Sequence, residues 1–418
     1  MNNQFYINNR KKYLETVKDN SVTILYSGKL IQKTADQDYP FSVNRNFYYL
    51  TGINQANVIL VLVKGINGIN EYLFIEENDE MWAKWVGMKL TKQEAQEISG
   101  IKNIMYLTQF DQLVFSLFNA SRRNYEELYY CYLDLERRND PNYTTLALQY
   151  SEQLKLKYPE VKIENAYHKI VRLRMNKTEE EVDLIKQSID CTKGALENVM
   201  KNIKPGLYEY QAETYFDSYI KFNGQRVTSF ETICATGKNA TILHYVDNNT
   251  EIKDNDLVLF DLGCCTDYYI SDISRTYPAN GKFTPRQKEI YEIVLNCNKK
   301  CIEYLKPGLT WEDFNNYANS LLIEGLKNIG LIKEDKELVK YYWHSIGHSI
   351  GLDTHDPSIY NVKFEPGLIV TVEPGLYLED EGIGVRIEDN VLITEDGCVN
   401  LSSNIIKEID DIEKFMKK

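Results

Sequence analysis

Histidine is scarce in this chain and acid is plentiful, so the placing of the few imidazoles is informative. Only five histidines occur among 418 residues, and His244, His344, His348 and His355 all fall in the second half. Three of them share the run His344-Ser345-Ile346-Gly347-His348-Ser349-Ile350-Gly351-Leu352-Asp353-Thr354-His355. The i, i+4 spacing of the first pair could set two metal ligands on one helix face. Gly347 and Gly351 argue against a helix, because each glycine in a helix interior costs about 1 kcal/mol relative to alanine. Ser345 also stands where a helical zinc-protease motif carries its glutamate. The run reads instead as an irregular segment that approaches other backbone closely and presents several imidazoles.

Two pairs of carboxylates flank that run. Asp261 interrupts the apolar stretch Leu257-Val258-Leu259-Phe260-Asp261-Leu262-Gly263, and Asp272 follows in Ser271-Asp272-Ile273-Ser274-Arg275-Thr276, beyond a tyrosine-rich turn that suits a hairpin. Glu373 lies in Val370-Thr371-Val372-Glu373-Pro374-Gly375, and Glu388 in Gly384-Val385-Arg386-Ile387-Glu388-Asp389. Any one of these acids alone could mark a turn or an exposed edge, and any one histidine a hydrogen-bonded core residue. Four carboxylates in apolar strands are different, because each desolvated ion costs several kcal/mol unless something offsets it. Two divalent cations would do so. Mostly oxygen donors with one nitrogen suit the harder ions, so Mn²⁺ is favoured over copper, with Zn²⁺ and Co²⁺ as alternatives.

Such residues need strands to carry them and helices to cover the strands. Thr178-Glu179-Glu180-Glu181 has the form of a capping box, and Val182, Ile185, Ile189, Leu196 and Val199 then keep a helical face. Lys204-Pro205-Gly206-Leu207 follows one helical pattern and precedes another, and Lys306-Pro307-Gly308-Leu309 does the same further on. Each unit is followed by an apolar, β-like run with carboxylates, Leu257 to Asp272 and Ile369 to Glu388. The matching order predicts two similar halves facing one another with a site between them. Upstream, Val22 to Tyr26, Asn57 to Val63, Tyr72 to Ile75 and Leu128 to Leu133 read as strands. With helical patterns over Leu90 to Ile98 and Asp111 to Ala120, they predict a smaller α/β domain. A boundary is expected between Tyr167 and Asn176, separating residues 1–170 from 176–418.

Bulk properties narrow the function. A net charge of −13 with no lysine–arginine stripe disfavours nucleic acid. The longest clean apolar run, Val58 to Val63, is far short of the roughly 20 residues of a membrane span. The opening Met1-Asn2-Asn3-Gln4-Phe5-Tyr6 lacks the pattern of a secretory signal, so a cytoplasmic protein with no membrane partner is expected. Eight cysteines include no CxxC pair, which points to free, mostly buried thiols in a reducing compartment.

The series Asp261…Asp272…His348…Glu373…Glu388 resembles the five-ligand signature of the pita-bread metallopeptidases, family M24. Within that family, Ser271 to Pro278, Gly281-Lys282-Phe283-Thr284, Gly351-Leu352-Asp353-Thr354-His355-Asp356 and Val372-Glu373-Pro374-Gly375 closely resemble the Xaa-Pro aminopeptidases. Tyr39-Pro40-Phe41 and Phe47-Tyr48-Tyr49-Leu50-Thr51-Gly52 look like the N-terminal domain of that group, so the resemblance spans nearly the whole chain. It implies an α/β (α+β) architecture: a C-terminal pita-bread catalytic domain of two similar halves after an N-terminal ribonuclease-H-like α/β domain. It also implies a dinuclear metallo-exopeptidase that removes the residue ahead of a penultimate proline, through a hydroxide held between the ions. Asp261 and Glu388 would serve both ions, Asp272 one, and His348 and Glu373 the other. Glu373 would shuttle the proton, and His244 would stabilise the tetrahedral intermediate. His344 and His355 would stand near the carbonyl and the proline, and Arg386 would orient a shared carboxylate. Peptides with penultimate proline are the implied partners, and a homodimer or homotetramer the implied assembly.

The chain departs from that pattern at Ser345, where the group carries glycine, and at Asn44-Arg45-Asn46, where it usually carries an acid. His168 matches nothing catalytic. The nearest rival reading is a prolidase, which shares the five ligands but prefers Xaa-Pro dipeptides. A methionine aminopeptidase does not need the large N-terminal domain, and creatinase-like enzymes lack the intact metal set. A non-catalytic scaffold of the same fold would be recognised by its failure to bind metal.

Overall fold

The computed structural model describes residues 1–66, 68–119, 127–359 and 362–417. The chain divides into two compact units, Met1–Arg174 and Met175–Lys418.

In the first unit the strands are β1 (Ser21–Tyr26), β2 (Ile59–Gly65), β3 (Gly68–Ile75), β4 (Asn103–Tyr106), β5 (Tyr130–Leu133) and β6 (Lys162–Asn165). They form one mixed sheet in the order β4-β3-β2-β1-β5-β6, with β1, β2 and β3 antiparallel and the outer strands added in parallel. Around it lie α1 (Asn3–Thr16), α2 (Arg45–Thr51), α3 (Glu80–Val86), α4 (Lys92–Ser99), α5 (Phe110–Phe118), α6 (Leu146–Lys157) and α7 (Tyr167–Met175). Alternation builds the core: Val22 and Ile24 of β1 and Val61 and Val63 of β2 pack with Phe110, Leu113, Val114 and Leu117 of α5. Those helical positions follow i, i+3, i+4, i+7, one face of a 3.6-residue repeat. The four strands read from sequence are present, three within a residue or two, while β3 begins four residues before the expected Tyr72, in an exposed stretch without an apolar signal. The two it does not reveal, β4 and β6, are short edge strands with half-exposed residues and little apolar signal. The helical pattern read to Ala120 appears as Phe110–Phe118, and Ala120 itself lies outside the described residues.

The second unit opens on α8 (Glu179–Asn202) and α9 (Glu209–Phe222). It continues with β7 (Ile233–Thr236), β8 (Leu257–Leu262), β9 (Cys265–Thr266), β10 (Tyr269–Ile270) and β11 (Ile273–Pro278). Next come α10 (Pro285–Tyr304) and α11 (Trp311–Asn328), then β12 (Ile369–Val372), β13 (Gly375–Leu378), β14 (Ile383–Arg386), β15 (Asp389–Ile393), β16 (Cys398–Asn400) and α12 (Ile409–Met416). The capping box forms as read: Thr178 Oγ1 accepts from the Glu181 amide while a Glu181 carboxylate oxygen accepts from the Thr178 amide. Caps of this kind contribute about 1 kcal/mol.

The repeat seen in sequence has a structural counterpart. Gly206 and Gly308 have φ of +87° and +92°, a left-handed conformation that only glycine adopts cheaply. Gly206 N donates to Ile252 O (2.8 Å) and Ile252 N donates to Leu207 O (2.7 Å). In the second half Gly308 N donates to Phe364 O (2.9 Å) and Phe364 N donates to Leu309 O (2.7 Å). Each turn thus receives an incoming strand segment through the same two bonds. In the first half β7, β8 and β11 then form one antiparallel sheet, Asp261 facing Ser274 on one side and Ile233 on the other. In the second half β12 pairs with β15. The apolar runs are not single strands: β9 and β10 make a small hairpin inside the first, and β13 and β14 another inside the second.

One buried charge network ties the halves together. Arg275 of β11 is fully buried and gives hydrogen bonds to the Ile405, Ile406 and Glu388 carbonyls and, at 2.9 Å, to Asp389 Oδ1. Asp389 Oδ2 accepts from Lys407 Nζ at 2.6 Å, and the two cations outweigh burial to hold its carboxyl well below the usual range. Removing one member of such a network leaves the others uncompensated. Asp389→Asn should therefore cost about 3–5 kcal/mol of stability, read as a lowered urea midpoint of metal-free protein at unchanged slope. An unchanged midpoint would show that Arg275 and Lys407 are satisfied without it.

Candidate metal centre

Strand ends deliver the four acids to one place. Asp261 is the penultimate residue of β8, and Asp272 immediately precedes β11, its antiparallel partner. Glu373 immediately follows β12, and Glu388 immediately precedes β15, again its antiparallel partner. Each half therefore contributes one acid from the end of a strand and one from the start of the neighbouring strand.

The histidine run occupies the other edge of β12. Thr371 N donates to His348 O at 2.9 Å, Glu373 N to Ile346 O at 2.8 Å, and Ser349 forms a bridge with Val370. The run thus stands beside β12 as β7 stands beside β8. Gly347 permits this approach, since a Cβ there would lie 2.1 Å from Thr371 O, a contact no other residue tolerates. The irregular, close-approach reading of this segment is what the backbone adopts.

One donor atom from each of Asp272, His348 and Glu388 lies within 4.8 Å of the others. His348 Nε2 is 3.4 Å from both Asp272 Oδ2 and Glu373 Oε1. Its Nδ1 lies 3.1 Å from Ser349 O. A proton on Nδ1 satisfies that carbonyl, so that loss of the Nε2 proton would leave its lone pair facing the acids, the tautomer a metal requires. Asp261 Oδ2 accepts from Arg386 Nη2 at 2.7 Å, while Asp261 Oδ1 is buried with no hydrogen-bond partner among the described residues. An orphaned carboxylate oxygen beside three other acids is the donor set of a hard cation, so the residues fit the divalent ions expected here.

The electrostatics agree. Burial first, then Asp261 and Glu373, raise the Asp272 carboxyl to about 7 against the pull of His348. Burial also raises Glu373, and it raises Glu388 well above the usual range, with the neighbouring acids adding to the effect. On His348 burial acts downward, but Asp272 and Glu373 outweigh it and lift the imidazolium to about 9. Protons are thus retained where bound cations would relieve the same repulsion.

The accessory residues divide into two groups. Arg386 is buried and reaches three partners: Asp261, Ser274 Oγ at 2.8 Å and Tyr377 OH at 3.0 Å. Tyr377 OH in turn meets His344 Nε2 at 2.8 Å, while His344 Nδ1 faces Ser345 O at 2.8 Å. Burial, Arg386 and His244 together lower His344 to about 4, so its ring is neutral. His355 stacks on His348 with centroids 3.8 Å apart and planes 9° from parallel. Burial and the charges of His348 and His244 lower it to about 4 as well. His244 lies on an exposed turn, from which its charge acts on His344 and His355. Just ahead of it in the chain, Gly237–Thr241 form a short 3-10 helix. His168 lies in the other unit, edge-on to Tyr167 in α7.

Several positioning residues have no signature in the sequence. Ser274 Oγ donates to Glu388 Oε2 at 2.8 Å, and Thr371 Oγ1 donates to Glu373 Oε1 at 3.1 Å. Asn390 clamps the Asp272 backbone from both sides: its Nδ2 donates to Asp272 O at 2.6 Å and its Oδ1 accepts from Asp272 N at 3.1 Å. Only their polarity in otherwise apolar strands could have marked them.

Residues 183–395 match the model of metallopeptidase family M24, and residues 6–125 match the aminopeptidase P N-terminal domain. The Xaa-Pro aminopeptidase of Escherichia coli is 31% identical, the match covering 97% of this chain and 96% of that one. Human Xaa-Pro aminopeptidase 3 is 30% identical over 95% of this chain and 81% of its own. Among solved structures, a Bacillus anthracis protein described as a candidate aminopeptidase P superposes with a TM-score of 0.97 at 46% identity, covering 100% of this chain and 99% of that one. Aminopeptidase P from E. coli with the inhibitor Pro-Leu superposes at 0.91 with 30% identity, covering 100% and 98%. With both domain models matched in order and relatives aligned end to end, the chain belongs to metallopeptidase family M24 and, within it, to the Xaa-Pro aminopeptidases.

Proposed function

We infer that this protein is a metal-dependent aminopeptidase that releases the N-terminal residue of peptides whose second residue is proline. The observation that carries the reading is the convergence of Asp272, His348 and Glu388 donor atoms within 4.8 Å, beside the unpartnered Asp261 Oδ1. In this reading Asp261 and Glu388 serve two ions, Asp272 one, and His348 and Glu373 the other. Mn²⁺ is the favoured metal because the set is four carboxylates and one imidazole. Bound there, the ions would lower the pKa of water and polarise the scissile carbonyl.

The chain's own residues do the rest. Arg386 holds Asp261 directly and shares Ser274 Oγ with Glu388, so one guanidinium aligns both shared carboxylates. Glu373, its carboxyl raised by burial and oriented by Thr371, is suited to accept a proton and return it to the departing prolyl nitrogen. His344 is neutral and fixed by Tyr377, so it borders the carbonyl without adding charge. His244, on its exposed turn, can donate to oxygen as negative charge develops there. Residues 176–418 form the catalytic domain in this reading and residues 1–170 the N-terminal one. We place the protein in the cytoplasm as a homodimer or homotetramer. No helix among the described residues is long and apolar enough to cross a membrane. Light scattering of the purified chain tests the assembly.

Metal-free protein should take up two Mn²⁺ per chain and then cleave Xaa-Pro-Yaa peptides in preference to Xaa-Pro dipeptides. Elemental analysis and product chromatography read both. Dipeptide preference would favour the prolidase alternative, and absence of uptake the scaffold. Asp272→Ala and His348→Ala should lose metal and turnover while keeping wild-type circular dichroism. Activity that merely tracks the unfolded fraction would count against them as ligands.

His244→Ala should lower kcat by about 10²–10³ with KM nearly unchanged, because a donor to a developing oxyanion acts mainly in the transition state. Steady-state kinetics on an Xaa-Pro-Yaa peptide decide the point. A near-normal kcat would remove His244 from the mechanism and leave it as a turn residue.

A further inference from the structure

A buried charged pair behind the loop that follows the histidine run has no part in the mechanism above. Lys177 Nζ lies 3.0 Å from Asp356 Oδ2, and both side chains are only 1% exposed. Apolar residues of the same volume would commonly serve stability as well or better, so such a pair is better explained by its directionality. Its surroundings show what it directs. Lys177 is fixed by its backbone, its N donating to Gly367 O at 2.7 Å beside a bridge between Asn176 and Leu368, at the entry to β12. Asp356 closes the loop that follows the histidine run: its N donates to Ser349 O at 2.9 Å, and its Oδ1 accepts from Asp353 N at 3.3 Å. Gly351 lets the loop wrap the pair, since a Cβ there would lie 2.7 Å from Asp356 Oδ2 and 2.8 Å from Lys177 Cε. His355 is the residue immediately before Asp356, and its ring lies against His348.

We propose that the Lys177–Asp356 ion pair is the positioning device for His355, holding its ring in the stack on His348 from an anchor at the entry to β12. The β12 backbone already places His348 through Thr371 N, and the ion pair places His355 from the same strand's start, so both rings share one frame of reference. Lys177 and Asp356 are positioning residues that act through His355 and do not touch substrate. The inference rests on the reading of His355 as part of the substrate site.

A double-mutant cycle separates positioning from simple support. Lys177→Met and the neutral pair Lys177→Met/Asp356→Asn are each made alone and combined with His355→Ala. Activity is read on an Xaa-Pro-Yaa peptide after Mn²⁺ loading. Each pair variant should lose about 10²-fold in kcat/KM, the order expected for a misplaced group, and adding His355→Ala should cost little more. Losses that multiply would overturn the proposal. If Lys177→Met alone folds poorly, the neutral pair supplies the same comparison. His355→Ala with normal activity would instead refute the role given to His355. An independent readout needs no metal or turnover: imidazole ¹H–¹³C correlations of the metal-free protein. The neutral pair should shift the His348 and His355 signals together and leave those of His168 and His244 in place. Unmoved His348 and His355 signals would overturn the proposal whatever the activity shows.

Discussion

Burial of four carboxyl groups side by side, with the repulsion that adds to it, is the constraint to which the second unit answers. Burial first, and the neighbouring acids after it, make Asp272, Glu373 and Glu388 retain protons above their ordinary range, Asp272 at about 7. A fold that brings them together must hold them against that repulsion before any cation arrives. It does so by rooting each acid at a strand end, where backbone ladder bonds on one side limit how far the carboxylate can retreat.

The remaining polar residues of the site serve that constraint. A single guanidinium, Arg386, satisfies Asp261 and braces Ser274, which in turn donates to Glu388. Asn390 grips the backbone of Asp272, and Thr371 does double duty, accepting from His348 N and donating to Glu373. None of these groups is a proposed ligand, yet each removes a degree of freedom from one. Charge-assisted hydrogen bonds are strong in such dry surroundings because little solvent screens them. One level further out, Arg275, Asp389 and Lys407 join the two halves through fully or largely buried charges. Preorganisation here is built in shells, each of which fixes the orientation of the one inside it.

The paired halves explain why so few segments suffice. Two helix–turn–helix units with the same glycine-dependent turn each receive a strand and continue into an antiparallel pair that ends in acids. The second half adds one departure. Where the first half uses the apolar strand β7, the second uses the histidine run, and Gly347 permits the approach. An imidazole nitrogen thereby joins a candidate donor set otherwise made of oxygen.

The sequence by itself marked the candidate residues. Asp261, Asp272, Glu373 and Glu388 stand out because ionised groups in apolar runs demand compensation, a local and composition-level signal. The capping box at Thr178, the two Lys-Pro-Gly-Leu turns and the non-helical histidine run were equally legible, since caps, positive φ and glycine content act within a few residues. The edge strands β4 and β6 were not, because an edge needs little apolar surface. Nor were Ser274, Thr371, Tyr377 and Asn390, whose hydroxyl and amide groups carry no sign of which distant partner they will meet. Only the tertiary structure decided that Asp261 keeps one oxygen unpartnered, that His355 stacks on His348, and that Lys177 reaches Asp356 across most of the domain's sequence. Those outcomes depend on contacts between residues far apart in the chain, and such contacts leave no periodicity to read.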